Sequence, residues 1–309
     1  MKKITLNIPA RVSDNFGEPI NHFMEYVAQM NESSADILEI DFSNCKFTSP
    51  FIIAGLASLL NAHSQKGGEN KTIVNQANEE LLNYLDTIAF YDGFKYSNFS
   101  LIDLDSALSK YHDEKYIPIV CFPTGKNEND SKIRENVLSA INSIFKKQLG
   151  LKGEQLQAIY YLVDELTQNV VDHSESEKGI LFAQFYPSKN YMDLCITDSG
   201  KGLFQSYIDS GKHKPASEEE AINFAVFGKS TKDLPESRGF GISTSREMLV
   251  KGLKGKFFIY SGKTFYIQTV DKQELISLSD KYNFKGCYVA LRIPILQQDD
   301  FSFYKFIEG

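Results

Sequence analysis

No stretch of this chain is long and apolar enough to span a bilayer. Its longest apolar run, Phe51 to Leu60, falls well short of the roughly 20 residues that a membrane helix needs. The start, Met1-Lys2-Lys3-Ile4, has the positive charge of a signal peptide, but no continuous apolar core follows it. Cysteine is scarce: Cys45, Cys121, Cys195 and Cys287 are far apart and mostly in apolar runs. That spacing offers neither a zinc motif nor a redox pair, so they read as reduced core residues of a cytoplasmic protein. An excess of basic charge is also missing. The net charge is −7, and all of it lies in residues 1–115, which hold 9 Lys+Arg against 16 Asp+Glu; the remainder has 24 of each. Without a basic arm or stripe, nucleic acid is not an expected partner, and neither is a membrane. No internal repeat or low-complexity segment is present.

What the chain does have is enough material for two domains: 309 residues, 42% of them hydrophobic. Its most informative stretch is Asp164-Glu165-Leu166-Thr167-Gln168-Asn169-Val170-Val171-Asp172-His173. Glu165, Asn169 and His173 stand at i, i+4 and i+8, which makes one polar stripe on a helix. Ile159, Leu162, Val163, Leu166 and Val170 form an apolar stripe beside it. Polar groups at such an edge are half buried and need partners, because an unpaired buried group costs about 1–3 kcal/mol. A metal ion carrying phosphates is one such partner; neighbouring backbone is the other.

Two glycine clusters follow. Asp198-Ser199-Gly200-Lys201-Gly202 comes after a strand-like run, Leu194-Cys195-Ile196, and Arg238-Gly239-Phe240-Gly241 precedes a helix-like run from Ile242 to Val250 that ends at Gly252. Glycine permits positive φ and lets backbone N–H groups approach a ligand. A glycine turn opening a helix favours an anion. Either cluster alone is weak; the order of the three elements is the stronger signal.

In that order the chain resembles the nucleotide site of the GHKL ATPases, which include gyrase and the ATP domains of histidine kinases. The Glu-x-x-x-Asn-x-x-x-His spacing is most similar to the anti-sigma-factor serine kinases of that group. The resemblance covers residues 116–309 and implies ATP and Mg²⁺ as cofactors. It implies Mg²⁺ binding by Asn169, polarisation of the attacking group by Glu165, and acceptance from the adenine amino group by Asp198. Gly200 and Gly202 would shape that turn, and Gly239 and Gly241 would contact the triphosphate. The span Leu203 to Ser237 corresponds to the family's mobile lid. Within it, Ser217-Glu218-Glu219-Glu220 has capping-box spacing, so a short helix is expected to run to about Phe227. The run Gly228-Lys229-Ser230-Thr231-Lys232 follows, with Thr231 and Lys232 suited to phosphate; a solvated loop with incidental lysines is the alternative. One departure stands out: the family's last strand often begins Gly-Thr, and here it is Gly286-Cys287.

The surrounding pattern predicts an α/β sandwich with helices on one face of a mixed sheet. Expected strands are Ile180–Tyr186, Tyr191–Thr197, Lys256–Tyr260, Thr264–Val270 and Tyr288–Pro294, with a helix through Ile133, Val137, Ile141, Ile144 and Phe145. Residues 1–112 read as a separate α/β domain: strand Ile37–Phe42, apolar helix Phe51–Ala62, a strand from Thr72, and a helix from Gln76 to Tyr91. Its Asp41–Phe51 segment resembles the strand–loop–helix of STAS domains. Active members carry Asp-Ser at that loop, whereas this chain has Thr48-Ser49-Pro50, so Ser49 is expected to be an N-cap rather than a phosphoacceptor.

The resemblances imply a regulatory serine/threonine kinase of the anti-sigma-factor type. A slow ATPase switch and a nucleotide-gated binding module without turnover remain as alternatives. The expected partners are ATP and a STAS-like or sigma-factor-like regulatory protein, and a homodimer is compatible with this reading. No helical hairpin with a phosphoacceptor histidine precedes the ATP-site elements, which argues against a complete histidine kinase.

Overall fold

A computed structural model describes residues 1–13, 15–32, 34–75, 78–90, 101–229, 241–295 and 300–307. The first part alternates strand and helix: β1 (Lys3–Asn7), α1 (Glu18–Glu32), β2 (Ile37–Asp41), α2 (Pro50–Gln65), β3 (Glu69–Ile73) and α3 (Glu79–Thr87). Its three strands pair in parallel in the order β1-β2-β3. Next come α4 (Leu101–Ser109), β4 (Val120–Pro123), α5 (Glu128–Leu149) and α6 (Gly153–His173). They are followed by β5 (Lys178–Tyr186), β6 (Tyr191–Asp198), α7 (Gly202–Ser210), α8 (Glu218–Val226) and α9 (Gly241–Glu247). The chain closes with β7 (Lys256–Gly262), β8 (Thr264–Gln268), β9 (Gln273–Ser277), β10 (Phe284–Pro294) and α10 (Tyr304–Ile307).

The second sheet has seven strands in the order β4-β5-β6-β10-β7-β8-β9. Every pairing in it is antiparallel. This corrects the expectation of a mixed sheet. The reason is connectivity: β5–β6, β7–β8 and β8–β9 are joined by short turns, and short turns join antiparallel strands. Asn190, in the β5–β6 turn, takes φ 52°, a conformation asparagine tolerates.

A second correction concerns the covering of this sheet. Helices were expected on one face only, yet both faces are covered. Strand alternation on β6 sends Met192, Leu194, Ile196 and Asp198 to one face and Asp193, Cys195 and Thr197 to the other. The first face packs on α6; the second receives α2 and, through Phe23 against Tyr260 and Tyr288, α1. Helix α2 is apolar over most of its surface, and Phe51 through Leu59 are all buried. A helix of that kind must lie inside the protein, and here it lies between the two sheets. Gly55 lets it approach α1, since a Cβ there would meet the Phe23 ring at 2.5 Å. The result is one contiguous hydrophobic core running through both sheets. Among the described residues, no helix is long and apolar enough to cross a membrane.

Several local expectations hold. Ser217 caps α8 by accepting from the Glu220 backbone N–H, and Glu220 reaches back to the Ala216 N–H. Helix α9 is extended through Gly252 by one π-turn. Strand β9, helix α1 and helix α7 were not foreseen.

Candidate functional site

Helix α6 owes its position to the apolar stripe Ile159, Leu162, Val163, Leu166 and Val170, all buried against the sheet. That packing leaves Asn169 and His173 beside the ends of β6 and β10. At the end of β6, Asp198 points to the same face as α6. The two elements converge on a cleft of about 470 Å³, its open mouth included. Its wall is largely apolar (Leu166, Val170, Ile196, Leu203, Ile242 and Val289), and Asn169, His173, Ser174, Asp198 and Cys287 also line it. A few convergent polar groups in an apolar wall suit a small-molecule site.

Asp198 is 2% exposed. Its Oδ1 accepts from the Gly200 N–H at 2.8 Å, and the Cys287 backbone N–H also donates to the carboxylate. Burial pushes its pKa up to about 7, against the pull of these two donors. No Lys or Arg among the described residues forms an ion pair with it.

The turn after Asp198 needs its glycines. A Cβ on Gly200 would lie 1.9 Å from the Ser174 carbonyl oxygen, just past the end of α6. Gly202 has φ +76°, where a side chain is strained. The Lys201 N–H donates to Ser174 O at 2.8 Å, tying the turn to α6. On the other side, Gly286 is so close that a Cβ would meet Asp198 O at 2.1 Å. The Asp-x-Gly-x-Gly run is thus shaped by close approach to both α6 and β10.

Asn169 Nδ2 is buried and has no hydrogen-bond partner among the described residues. A Cβ on Gly241 would stand 3.7 Å from Asn169 Oδ1, so the start of α9 faces this amide. The amide carries both a donor nitrogen and an acceptor oxygen. In either orientation a group in the cleft could bond it.

The structure therefore brings together Asn169, Asp198, Gly202 and, beside them, Gly200 and Gly241. Glu165 lies one turn earlier on α6, half buried, and is not part of the cleft wall. Its carboxylate lies close enough to Tyr161 to help push that hydroxyl's pKa up, burial being the larger cause. Thr231, Lys232 and Gly239 lie outside the described residues, as does the last part of the lid span, residues 230–237; the earlier part carries α7 and α8. Ser49 takes the N-cap position of α2 with extended backbone and Pro50 after it, but its side chain makes no capping bond. It is 2% exposed, which leaves its hydroxyl no open path to a phosphate donor.

Three features of the site were missed in the sequence. Leu203 and Ile242 belong to the cleft wall, and Ser174 carries the carbonyl on which the glycine turn rests. No local signal marks them, because their role depends on neighbours far away in sequence.

Set beside known proteins, the chain matches no protein-family model and no curated protein at a significant level.

Proposed function

We propose that this cleft binds ATP with Mg²⁺ and that the protein is a nucleotide-dependent regulator of the GHKL type. The observation that carries the reading is the pairing, in one cleft, of a buried carboxylate that forms no ion pair among the described residues and a buried amide nitrogen with no hydrogen-bond partner among them. A carboxylate already fed by two backbone N–H groups still has lone pairs to offer. It suits a ligand that presents an N–H donor, as the adenine amino group does. The apolar walls suit the faces of a purine.

The donor set also fits a phosphate-bound metal. Among the described residues, no group of three or more His, Cys, Asp or Glu could hold a metal ion. Mg²⁺ would then take an amide oxygen from Asn169 and its other oxygens from phosphates and water, which is usual for this ion. Bound MgATP would supply a transferable γ-phosphoryl group. Asn169 would orient it, Asp198 would hold the base, and Glu165 would take the proton of an attacking hydroxyl or water. A partner protein is the expected acceptor, since Ser49 is buried. If Glu165 is that base, Glu165→Gln keeps ATP affinity and cuts phosphate release or transfer by about 10²–10⁴-fold. Following both released phosphate and labelled protein from γ-labelled ATP checks this and separates kinase from ATPase.

One observation favours a second reading. Glu165 does not line the cleft, which suits a nucleotide-gated binding module without turnover. Calorimetric titration with MgATP and MgADP tests what both readings share; the absence of binding by the folded protein would refute both.

A further inference from the structure

Helix α2 is apolar almost throughout, yet Ser58, Asn61 and Gln65 recur on it at helical spacing, as i, i+3 and i+7. All three meet the same short segment, the strand end Thr197-Asp198-Ser199. Ser58 is fully buried; its hydroxyl lies 3.4 Å from Thr197 Oγ1, which donates to it, and 3.5 Å from Asp198 O. Asn61 Nδ2 donates to Ser199 Oγ at 3.5 Å, and Ser199 Oγ donates to Gln65 Oε1 at 3.4 Å. The stripe thus lies behind the turn whose front presents the Asp198 carboxylate to the cleft. The adjoining strand is tied to the same helix, because Tyr288 OH donates to Phe51 O at 2.7 Å. Tyr288 follows Cys287, whose backbone N–H is the second donor to Asp198.

We infer that Ser58, Asn61 and Gln65 are positioning residues for Asp198, so that the N-terminal part of the chain forms the back wall of the base-recognition site. This rests on the nucleotide reading above and extends it. The contacts are long, so each contributes little energy; what they contribute is direction. A carboxylate that accepts a hydrogen bond loses strength steeply when its angle changes. The backbone of Asp198 is held from behind by α2, and its side chain from the front by Gly200 and Cys287. Chemistry at the base is therefore coupled to how α2 sits. Any ligand or partner that shifts α2 would alter base recognition, and by linkage base binding would alter α2.

The test uses the full chain and two nucleotides: MgATP and the purine ribonucleoside triphosphate that lacks the 6-amino group. Wild type should prefer ATP by about 10-fold or more, the scale of a hydrogen bond to a charged group. Asn61→Ala/Gln65→Ala should reduce that preference by about 2- to 10-fold through ATP affinity alone, leaving the deamino analogue's Kd and the apo Tm unchanged. Gln65→Glu keeps the acceptor for Ser199 and should retain the wild-type preference. If the double variant does not fold, Gln65→Ala at its exposed position gives the same reading with a smaller change. An unchanged preference, or equal loss for both nucleotides, overturns the positioning role while leaving nucleotide binding intact. A wild type that binds neither nucleotide overturns both.

Discussion

Two buried aspartates sit on one strand, and their surroundings differ in kind. Asp193 and Asp198 are both in β6, 1% and 2% exposed, but five residues apart and so on opposite faces of the sheet. Asp193 faces the N-terminal helices. Arg292, opposite it on β10, grips it with Nε at 2.7 Å and Nη2 at 2.8 Å. The Tyr191 ring lies 4.0 Å from that guanidinium, and the Phe16 and Phe51 rings also border it. Asp198 faces the cleft, with two backbone donors and no cation among the described residues. The first carboxylate has its charge met within the fold, whereas the second retains acceptor capacity directed at open space. Burial alone does not mark a functional carboxylate; what remains unmet after folding does.

The largest expected effect breaks the Asp193 side of this comparison. Arg292→Met leaves a buried carboxylate without its partner and should destabilise the fold by about 3–5 kcal/mol, read from denaturant unfolding. Asp193→Leu/Arg292→Met should recover most of that, because the pair's worth is offset by its desolvation. The mirror experiment is Asp198→Asn. It should cost ATP affinity about 10-fold or more while leaving apo stability at neutral pH unchanged or raised. If Asp198→Asn unfolds the protein as Arg292→Met does, the contrast between the two sites is wrong.

A subtler effect follows from the raised pKa of Asp198. The folded state holds this proton more tightly than the unfolded chain. Its contribution to stability is therefore full below the ordinary value of 3.8 and lost as pH rises to about 7. Apo wild type should lose stability across that window relative to Asp198→Asn, by at most about 1.4 kcal/mol per pH unit. Nucleotide affinity should run the other way, rising with pH, since an N–H donor prefers the ionised carboxylate. Parallel thermal melts and titrations across the window read both slopes. The smallest expected effect is at Asn169. Asn169→Ala removes an amide nitrogen that has no partner among the described residues, so apo stability should fall by less than the roughly 1 kcal/mol typical of point substitutions, or rise. The Mg²⁺-dependent part of ATP affinity should fall, as calorimetry with and without the metal would show.

The same strand explains what could be read from sequence. The stripe of Glu165, Asn169 and His173 was legible because helical spacing alone puts those residues on one face. The capping box at Ser217 was legible for the same reason. The face that Asp198 shares with Ile196 follows from alternation once the strand is recognised. The second covering layer was also written in the chain, though less directly. Leu194-Cys195-Ile196 is apolar on both faces, which requires two covers, and the first ten residues of α2 are nearly all apolar, which requires deep burial. The pairing of those two facts needs three dimensions. So does the contact of Ser58, Asn61 and Gln65 with the Asp198 turn, across more than a hundred residues of sequence. Strand β9, Gln-Glu-Leu-Ile-Ser, is an edge strand with mixed exposure and carries little periodic signal.

The most direct test of the central claim, that Asp198 is a ligand-facing carboxylate, is proton-linked calorimetry. MgATP is titrated into wild type and Asp198→Asn at a pH near the Asp198 value of about 7, in buffers of different ionisation enthalpy. The account predicts binding by wild type with proton release, and weaker binding without that release in Asp198→Asn. Equal affinity and equal proton release in the two proteins would contradict it.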